Sequence, residues 1–128
     1  MIKNFLIINF IGKNNDTLGL KIDRNFYTSC FNTKIKNNDK LVSSILNLIK
    51  KYKVNLDANF SILVNSGPGS FSSLRVALAV AKGIKLAKKI SIYSYKNSDL
   101  DNFNLANIDF LIKKKLLEKN LIKPLYIS

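Results

Sequence analysis

Val64-Asn65-Ser66-Gly67-Pro68-Gly69-Ser70-Phe71-Ser72-Ser73-Leu74-Arg75 joins a strand pattern to a helix pattern across a rigid corner, and the remaining elements are arranged around that junction. Upstream, Phe60, Ile62, Leu63 and Val64 form a short apolar run suited to a buried central strand. Downstream, Leu74 to Leu86 contains no proline and one glycine, Gly83, as a long helix requires. Proline holds φ near about −65° and a following glycine tolerates positive φ. Pro68-Gly69 is therefore expected in a type II turn, with Ser70 or Ser72 capping the helix. Two readings of the corner follow from chemistry alone. Unpaired amides at a helix start, backed by the helix dipole, make an anion site; equally, the segment is a compact serine-capped turn. It carries neither the lysine of a P-loop nor the spacing of GxGxxG.

Around the junction the chain reads as a mixed α/β domain. Phe5 to Ile11, Thr17 to Ile22 and Phe26 to Phe31 are expected as three antiparallel strands, joined through Gly12-Lys13-Asn14-Asn15-Asp16 and Asp23-Arg24-Asn25. Asn37-Asn38-Asp39 is a cap signal for a helix over Lys40 to Tyr52, with apolar positions Leu41, Val42, Ile45, Leu46, Leu48, Ile49 and Tyr52. Strand Phe60 to Asn65, helix Ser72 to Lys89 and strand Ile90 to Tyr95 follow, the helical crossovers making these last strands parallel to their neighbours. Ile108 to Lys119 reads as an amphipathic helix, and Pro124 ends that tract before a short terminal strand.

Composition narrows the function classes. At 128 residues and 47% hydrophobic, the chain has the length of one domain with a real core. Its longest apolar stretch, Phe5 to Ile11, is far too short to span a membrane. Met1-Ile2-Lys3-Asn4 carries no small-residue cleavage site, so a cytoplasmic location is expected. There is no histidine and one cysteine, Cys30, which excludes a His-based triad, a His-ligated metal site and an intramolecular disulfide. Cys30 is expected as a small core hydrophobe. The net charge of +13 invites a nucleic-acid reading. However, 19 of the 21 basic residues are lysine, and lysine, asparagine and isoleucine are all over-used, as in a chain encoded by A/T-rich DNA. Lys50-Lys51, Lys88-Lys89 and Lys113-Lys114-Lys115 are then ordinary solvated faces.

The stretch Ser66-Gly67-Pro68-Gly69-Ser70-Phe71-Ser72-Ser73-Leu74-Arg75, continued by Val76-Ala77-Leu78-Ala79-Val80-Ala81-Lys82-Gly83, resembles the GPGSFTGLRIGLATAKGLA stretch of the bacterial TsaB family, also called YeaZ. Ser91-Ile92-Tyr93-Ser94-Tyr95 falls where that family's next strand does, and Lys123-Pro124-Leu125-Tyr126-Ile127 resembles its closing P-x-Y-(L/I) segment. The resemblance implies the ribonuclease H-like half of an actin-like ATPase fold over residues 1–103. It implies a non-catalytic subunit that binds a TsaD-like enzyme, with a TsaE-like ATPase as a further partner, in making threonylcarbamoyladenosine next to the anticodon of tRNA. No cofactor and no metal are expected, and tRNA is met through the complex. Two departures stand out. Family members open with a strand ending I-D-T-S, whereas Ile7-Ile8-Asn9 puts an amide where the carboxylate falls, and an amide neither holds magnesium nor activates water. Family members also continue into a second lobe, of which residues 104–128 are expected to be a vestige.

Helix surface area points to where a partner docks. On a helical wheel the apolar residues from Ser72 onward spread over about 220°, and those of Lys40 to Tyr52 over about 160°, more than one sheet face needs. The polar strip of the second helix holds Arg75, Lys82, Lys85 and Lys89. Ala79, Gly83 and Ala87 recur every fourth residue, which either lets a second helix approach or packs the helix on its own sheet. In the family these two helices pair with the partner's corresponding two. The expected interface therefore comprises the corner residues Gly67, Pro68, Gly69, Ser70 and Phe71, the second-helix residues Leu74, Arg75, Leu78, Ala79, Lys82 and Gly83, and the first-helix residues Leu41, Ile45 and Ile49. A homodimer through the same helices is the variant without the enzyme. Among the aspartates, Asp16, Asp23 and Asp57 are not expected on adjacent strand ends. A stand-alone ribonuclease H-like hydrolase and an RNA-binding module are the rival readings.

Overall fold

The computed structural model describes residues 2–12, 16–31, 38–119 and 126–127. Strands β1 (Asn4–Asn9), β2 (Thr17–Ile22) and β3 (Asn25–Cys30) form the expected antiparallel meander. Helix α1 (Asn38–Lys51) leads to β4 (Phe60–Asn65), which pairs parallel to β1, and β5 (Gly69–Ser70) and α2 (Phe71–Lys88) lead to β6 (Ser91–Tyr95), parallel to β4. A 3-10 turn at Asn97–Asp99, helix α3 (Leu105–Lys113) and β7 (Tyr126–Ile127) complete the order. The sheet runs β3-β2-β1-β4-β6, the mixed order of a ribonuclease H-like half. Short β7 lies parallel to β5, on the corner itself.

Alternation along β1 and β4 divides the core in two. Leu6, Ile8, Ile62 and Val64 point to one face, where α1 and α2 cover them with Leu41, Ile45, Ala77 and Ala81. Phe5, Ile7 and Leu63 point to the other, where α3 supplies Ile108 and Leu111 beside Tyr95 and Leu100. Tyr52, just past α1, stacks on Tyr27 of β3 at 3.7 Å and pins the helix over the sheet edge.

Where boundaries differ from expectation, a side chain decides. β1 stops at Asn9 because the amides of Ile11 and Gly12 turn to the Asp16 carboxylate, at 3.0 and 2.8 Å, rather than to a neighbouring strand. α3 starts three residues earlier than expected because Asn104 caps it, its Oδ1 accepting from the Asn107 amide at 2.8 Å. It ends early because Lys115 turns left-handed at φ 56. Glu118 then forms an isolated bridge to Ser94 on the outer edge of β6. The cap expected for α1, at 37–39, lies outside the described side chains. Cys30 is exposed, not core, because β3 is the edge strand and its last residue has no helix over it. Among the described residues, no helix is long and apolar enough to cross a membrane.

Candidate functional site

At the C-terminal ends of β1, β4 and β6 the polar side chains converge on Asn65, which is buried. Its Nδ2 donates to Asn9 Oδ1 at 2.7 Å and to Asn97 Oδ1 at 3.0 Å, while its Oδ1 accepts from the Gly67 amide at 2.8 Å. The Tyr95 hydroxyl donates to the same Asn9 oxygen at 3.3 Å. One primary amide therefore ties the end of β1, the 3-10 turn and the start of the corner to β4. Burial pushes the Tyr95 hydroxyl well above its ordinary value, the neighbouring Asn65 amide pulls it partly back, and Asp16 adds a smaller push upward. The group stays protonated, as a donor to Asn9 must. Asn9, Asp16, Thr17, Cys30, Asn97 and Asp101 border a cleft of about 510 Å³ above this network. Asp16 lies beside the end of β1, whereas Asp23 and Asp57 lie at the opposite end of the sheet, so the three do not share adjacent strand ends. Among the described residues, no three His, Cys, Asp or Glu side chains cluster as metal ligands would.

The corner is held from both sides. Gly67 takes the left-handed conformation at φ 100 and the Gly67-Pro68 peptide is cis, so the positive-φ position precedes the proline, and the expected type II turn over Pro68-Gly69 does not form. The Asn97 amide donates to Gly67 O at 2.9 Å, and the Ser70 amide to Ile11 O at 2.9 Å. Gly69 lies so close to Ile11 that a Cβ there would fall 2.6 Å from the Ile11 Cβ, which is why this position takes glycine. Ser70, not Ser72, caps α2, its Oγ accepting from the Ser73 amide at 3.2 Å. Arg75 emerges beside the corner, exposed, with its guanidinium carbon 4.9 Å from the centre of the Phe71 ring.

Burial sorts the expected interface residues. Phe71, Arg75, Ala79, Lys82 and Gly83 are exposed, and a Cβ on Gly83 would meet nothing within 4 Å, so the Ala79-Gly83-Ala87 row faces outward and does not pack on the sheet. Ile49 and Leu78 are half-buried against the core. Leu41, Ile45 and Leu74 are corrections: they are buried within the chain's own core, because their side of each helix is the one facing the sheet. Besides Phe110 on α3, the large apolar side chains left exposed among the described residues are Val42 and Leu46 on α1 and Leu86 on α2, with Phe71 at the corner. They were visible in the wide apolar arcs, but periodicity alone does not say which flank of such an arc turns inward.

The family model described as TsaD, tRNA N6-adenosine threonylcarbamoyltransferase, matches residues 34–97, half of the chain. Over 46 residues the chain is 48% identical to the tRNA threonylcarbamoyladenosine biosynthesis protein TsaB of Buchnera aphidicola subsp. Baizongia pistaciae, a stretch covering 36% of this chain and 21% of that protein. Among solved structures, YeaZ from Pseudomonas aeruginosa superposes with a TM-score of 0.64 at 17% identity, over 73% of this chain and 44% of that one. A second Pseudomonas aeruginosa structure, of an uncharacterized protein with similarity to peptidase YEAZ, gives 0.63 at 17% identity, over 73% and 43%. These two likenesses establish the fold, and the chain spans less than half the length of each relative. The family match runs through α1, β4, the Gly-Pro-Gly corner, α2 and β6, the same elements that build the corner and the outward helix face. The chain belongs to the TsaD-type threonylcarbamoyltransferase family, on the side of its TsaB (YeaZ) members.

Proposed function

We propose that the chain acts in tRNA threonylcarbamoyladenosine synthesis as a non-catalytic TsaB-like subunit that binds and activates a TsaD-like enzyme through the outer face of α1 and α2. The observation that carries this reading is the pairing of Val42 and Leu46 on one helix with Ala79, Gly83 and Leu86 on the other, an exposed face of large side chains beside small ones. Apolar ridges next to a row of small residues admit partner helices at close range. Arg75, stacked on Phe71 and making no hydrogen bond to the loop among the described residues, adds a planar donor at the rim for a carboxylate of the enzyme. A TsaE-like ATPase joins the assembly, and tRNA is met through it. Without the enzyme the same face pairs two copies of the chain.

The amide at Asn9 supports a non-catalytic role. Its oxygen accepts from Asn65 and Tyr95, and Asp16, which borders the same cleft, engages backbone amides with both of its oxygens. A stand-alone hydrolase of this fold needs carboxylates at these strand ends to hold metal and water. The test is to purify the TsaD-type enzyme of the same cell with and without this chain and to measure threonylcarbamoyladenosine in tRNA by mass spectrometry. Co-purification and a rise in modification on adding the chain are expected. Full modification by the enzyme alone, or magnesium-dependent ATP hydrolysis by this chain alone, overturns the reading.

A further inference from the structure

We propose that the end of the molecule formed by the C-termini of α1 and α2 is a docking surface for the phosphate backbone of folded RNA. Both helices run against the parallel strands, so both finish where β4 and β6 begin, strands that are paired there as Ser61↔Ser91. Lys50, Lys51 and Lys53 close α1, and Lys85, Lys88 and Lys89 close α2, all exposed. Lys3 ahead of β1, Lys21 near the end of β2 and Arg24 in the β2–β3 turn reach the same end, because β1 begins and β2 finishes there. Among the described residues only Asp23 and Asp57 oppose them. At the opposite end Asp16, Asp99 and Asp101 balance Lys40, Arg75 and Lys96 among the described residues, so positive charge is polarised along the strand direction.

A base-composition bias does not produce this arrangement, since it would scatter lysines over the whole surface. Lys53 and Lys89 occupy the left-handed position that closes α1 and α2, at φ 50 and 54, as Lys115 does after α3 at φ 56, so this conformation is shared by all three helix ends and the clustering of the cations carries the argument. The Val54 amide bonds Ile49 O, and the Lys89 amide bonds Lys85 O, as in glycine-terminated helices. Glycine fits that conformation freely and asparagine, abundant here and equally A/T-coded, tolerates it; lysine takes it at a cost. One or two cations suffice to complement a helix dipole, and three crowd each end here. RNA is favoured over an anionic membrane because a membrane-bound face needs apolar anchors among its cations. The exposed large apolar side chain nearby, Leu86, belongs instead to the Ala79-Gly83 row along the helix flank.

The test uses the full chain alone, so it stands or fails separately from the pairing with a TsaD-like enzyme. Affinity for a labelled RNA stem-loop of about 20 base pairs is followed by anisotropy between about 50 and 200 mM salt. The variant Lys85→Gln/Lys88→Gln/Lys89→Gln is compared with Lys113→Gln/Lys114→Gln/Lys115→Gln, which removes equal charge where α3 ends. The first is expected to lose about tenfold or more in affinity and about 1 unit of salt slope for each lysine removed, the second far less. Circular dichroism checks folding, and Lys50→Gln/Lys51→Gln/Lys53→Gln gives an independent second reading of the same end. Equal losses in both sets, no binding of RNA by the unaltered chain, or binding to phosphatidylserine vesicles in preference to RNA each overturn the proposal.

Discussion

Replacing Leu46 and Leu86 together by glutamate separates the docking face from the core. Covering a fully exposed leucine is worth about 1.5–3 kcal/mol. Leu46 still exposes 58% of its surface and Leu86 85%, so a partner helix that covers both gains about 2–4 kcal/mol from them. Losing that gain weakens binding by about 30- to 700-fold, before adding the penalty for bringing an unpaired charge into an interface. Folding is expected to survive. Neither side chain belongs to the buried core, leucine and glutamate have similar helix propensity, and a glutamate at position 46 stands four residues ahead of Lys50, a favourable spacing. Leu78 is the poorer probe, since it is half-buried against the core and its replacement by glutamate would destabilise the fold as well. Calorimetric titration into the TsaD-type enzyme measures the first effect, light scattering measures self-association, and urea unfolding is the folding control. A folded Leu46→Glu/Leu86→Glu protein that binds the enzyme with undiminished affinity refutes the assignment of this face.

Arg75→Lys keeps the charge but loses the planar group over Phe71, so complex formation is expected to weaken while the melting temperature hardly moves; the reverse pattern in a pull-down and a melt would mark Arg75 as a local pin. Asn65→Asp turns two donated hydrogen bonds into facing acceptors at a buried position and is expected to cost at least about 2–6 kcal/mol in urea unfolding. Lys89→Gly relieves a left-handed lysine and, after allowing for glycine's freedom in the unfolded chain, should stabilise by about 0.5–1 kcal/mol, read as a melting temperature higher by a few degrees. Tyr95 has its folded-state value raised above the ordinary 10.0, so its contribution is complete below pH 10 and is lost as pH climbs through the raised value. Tyr95→Phe should therefore flatten the alkaline fall in stability, and an unchanged alkaline slope would show that Tyr95 is not the titrating group.

Elements that depend on local pattern were legible from residues alone. β2 and β4 form over their expected residues, and β1, β3, β6, α1 and α2 lie within two positions of theirs, because period-2 and period-3.6 patterns are written within one segment, while α3 starts three residues early and ends six residues early. The crossovers around α2 fixed the parallel pairing of β4 and β6. The polar hub at Asn65 was not legible, since its partners Asn9 and Asn97 lie 56 and 32 residues away and asparagine is common throughout the chain. Asp16 was set aside as a turn residue because its role is to cap backbone amides four and five residues earlier, a bond that appears only once the turn has closed. Inside and outside were confused on α1. Leu41 and Ile45 alternate with Val42 and Leu46 one residue on, so a wide apolar stripe gives the same periodicity whichever flank meets the sheet.

Helix α2 places its two proposed roles so that neither obstructs the other. At its start, Ser70 satisfies one of the orphan amides and Phe71 and Arg75 project beside the corner, which Asn65 holds rigidly to β4 through Gly67. At its finish, about 27 Å away by the 1.5 Å rise of an 18-residue helix, Lys85, Lys88 and Lys89 meet the lysines that close α1. From Arg75 these lysines stand 10 to 14 residues on, about 15–21 Å along the axis and so about two Debye lengths at physiological salt, which largely screens Arg75 from the lysine end. An enzyme seated along the flank from Phe71 to Leu86 would leave the lysine end open, and RNA held there would lie alongside the enzyme instead of under it. The two surfaces then make separable demands. Removing Lys88 and Lys89 should leave enzyme binding at high salt intact while reducing the rate at which RNA reaches the complex at low salt, since steering acts on encounter more than on the docked state. Loss of enzyme binding at high salt on removing those two lysines would mean that the enzyme, and not RNA, occupies the cationic end.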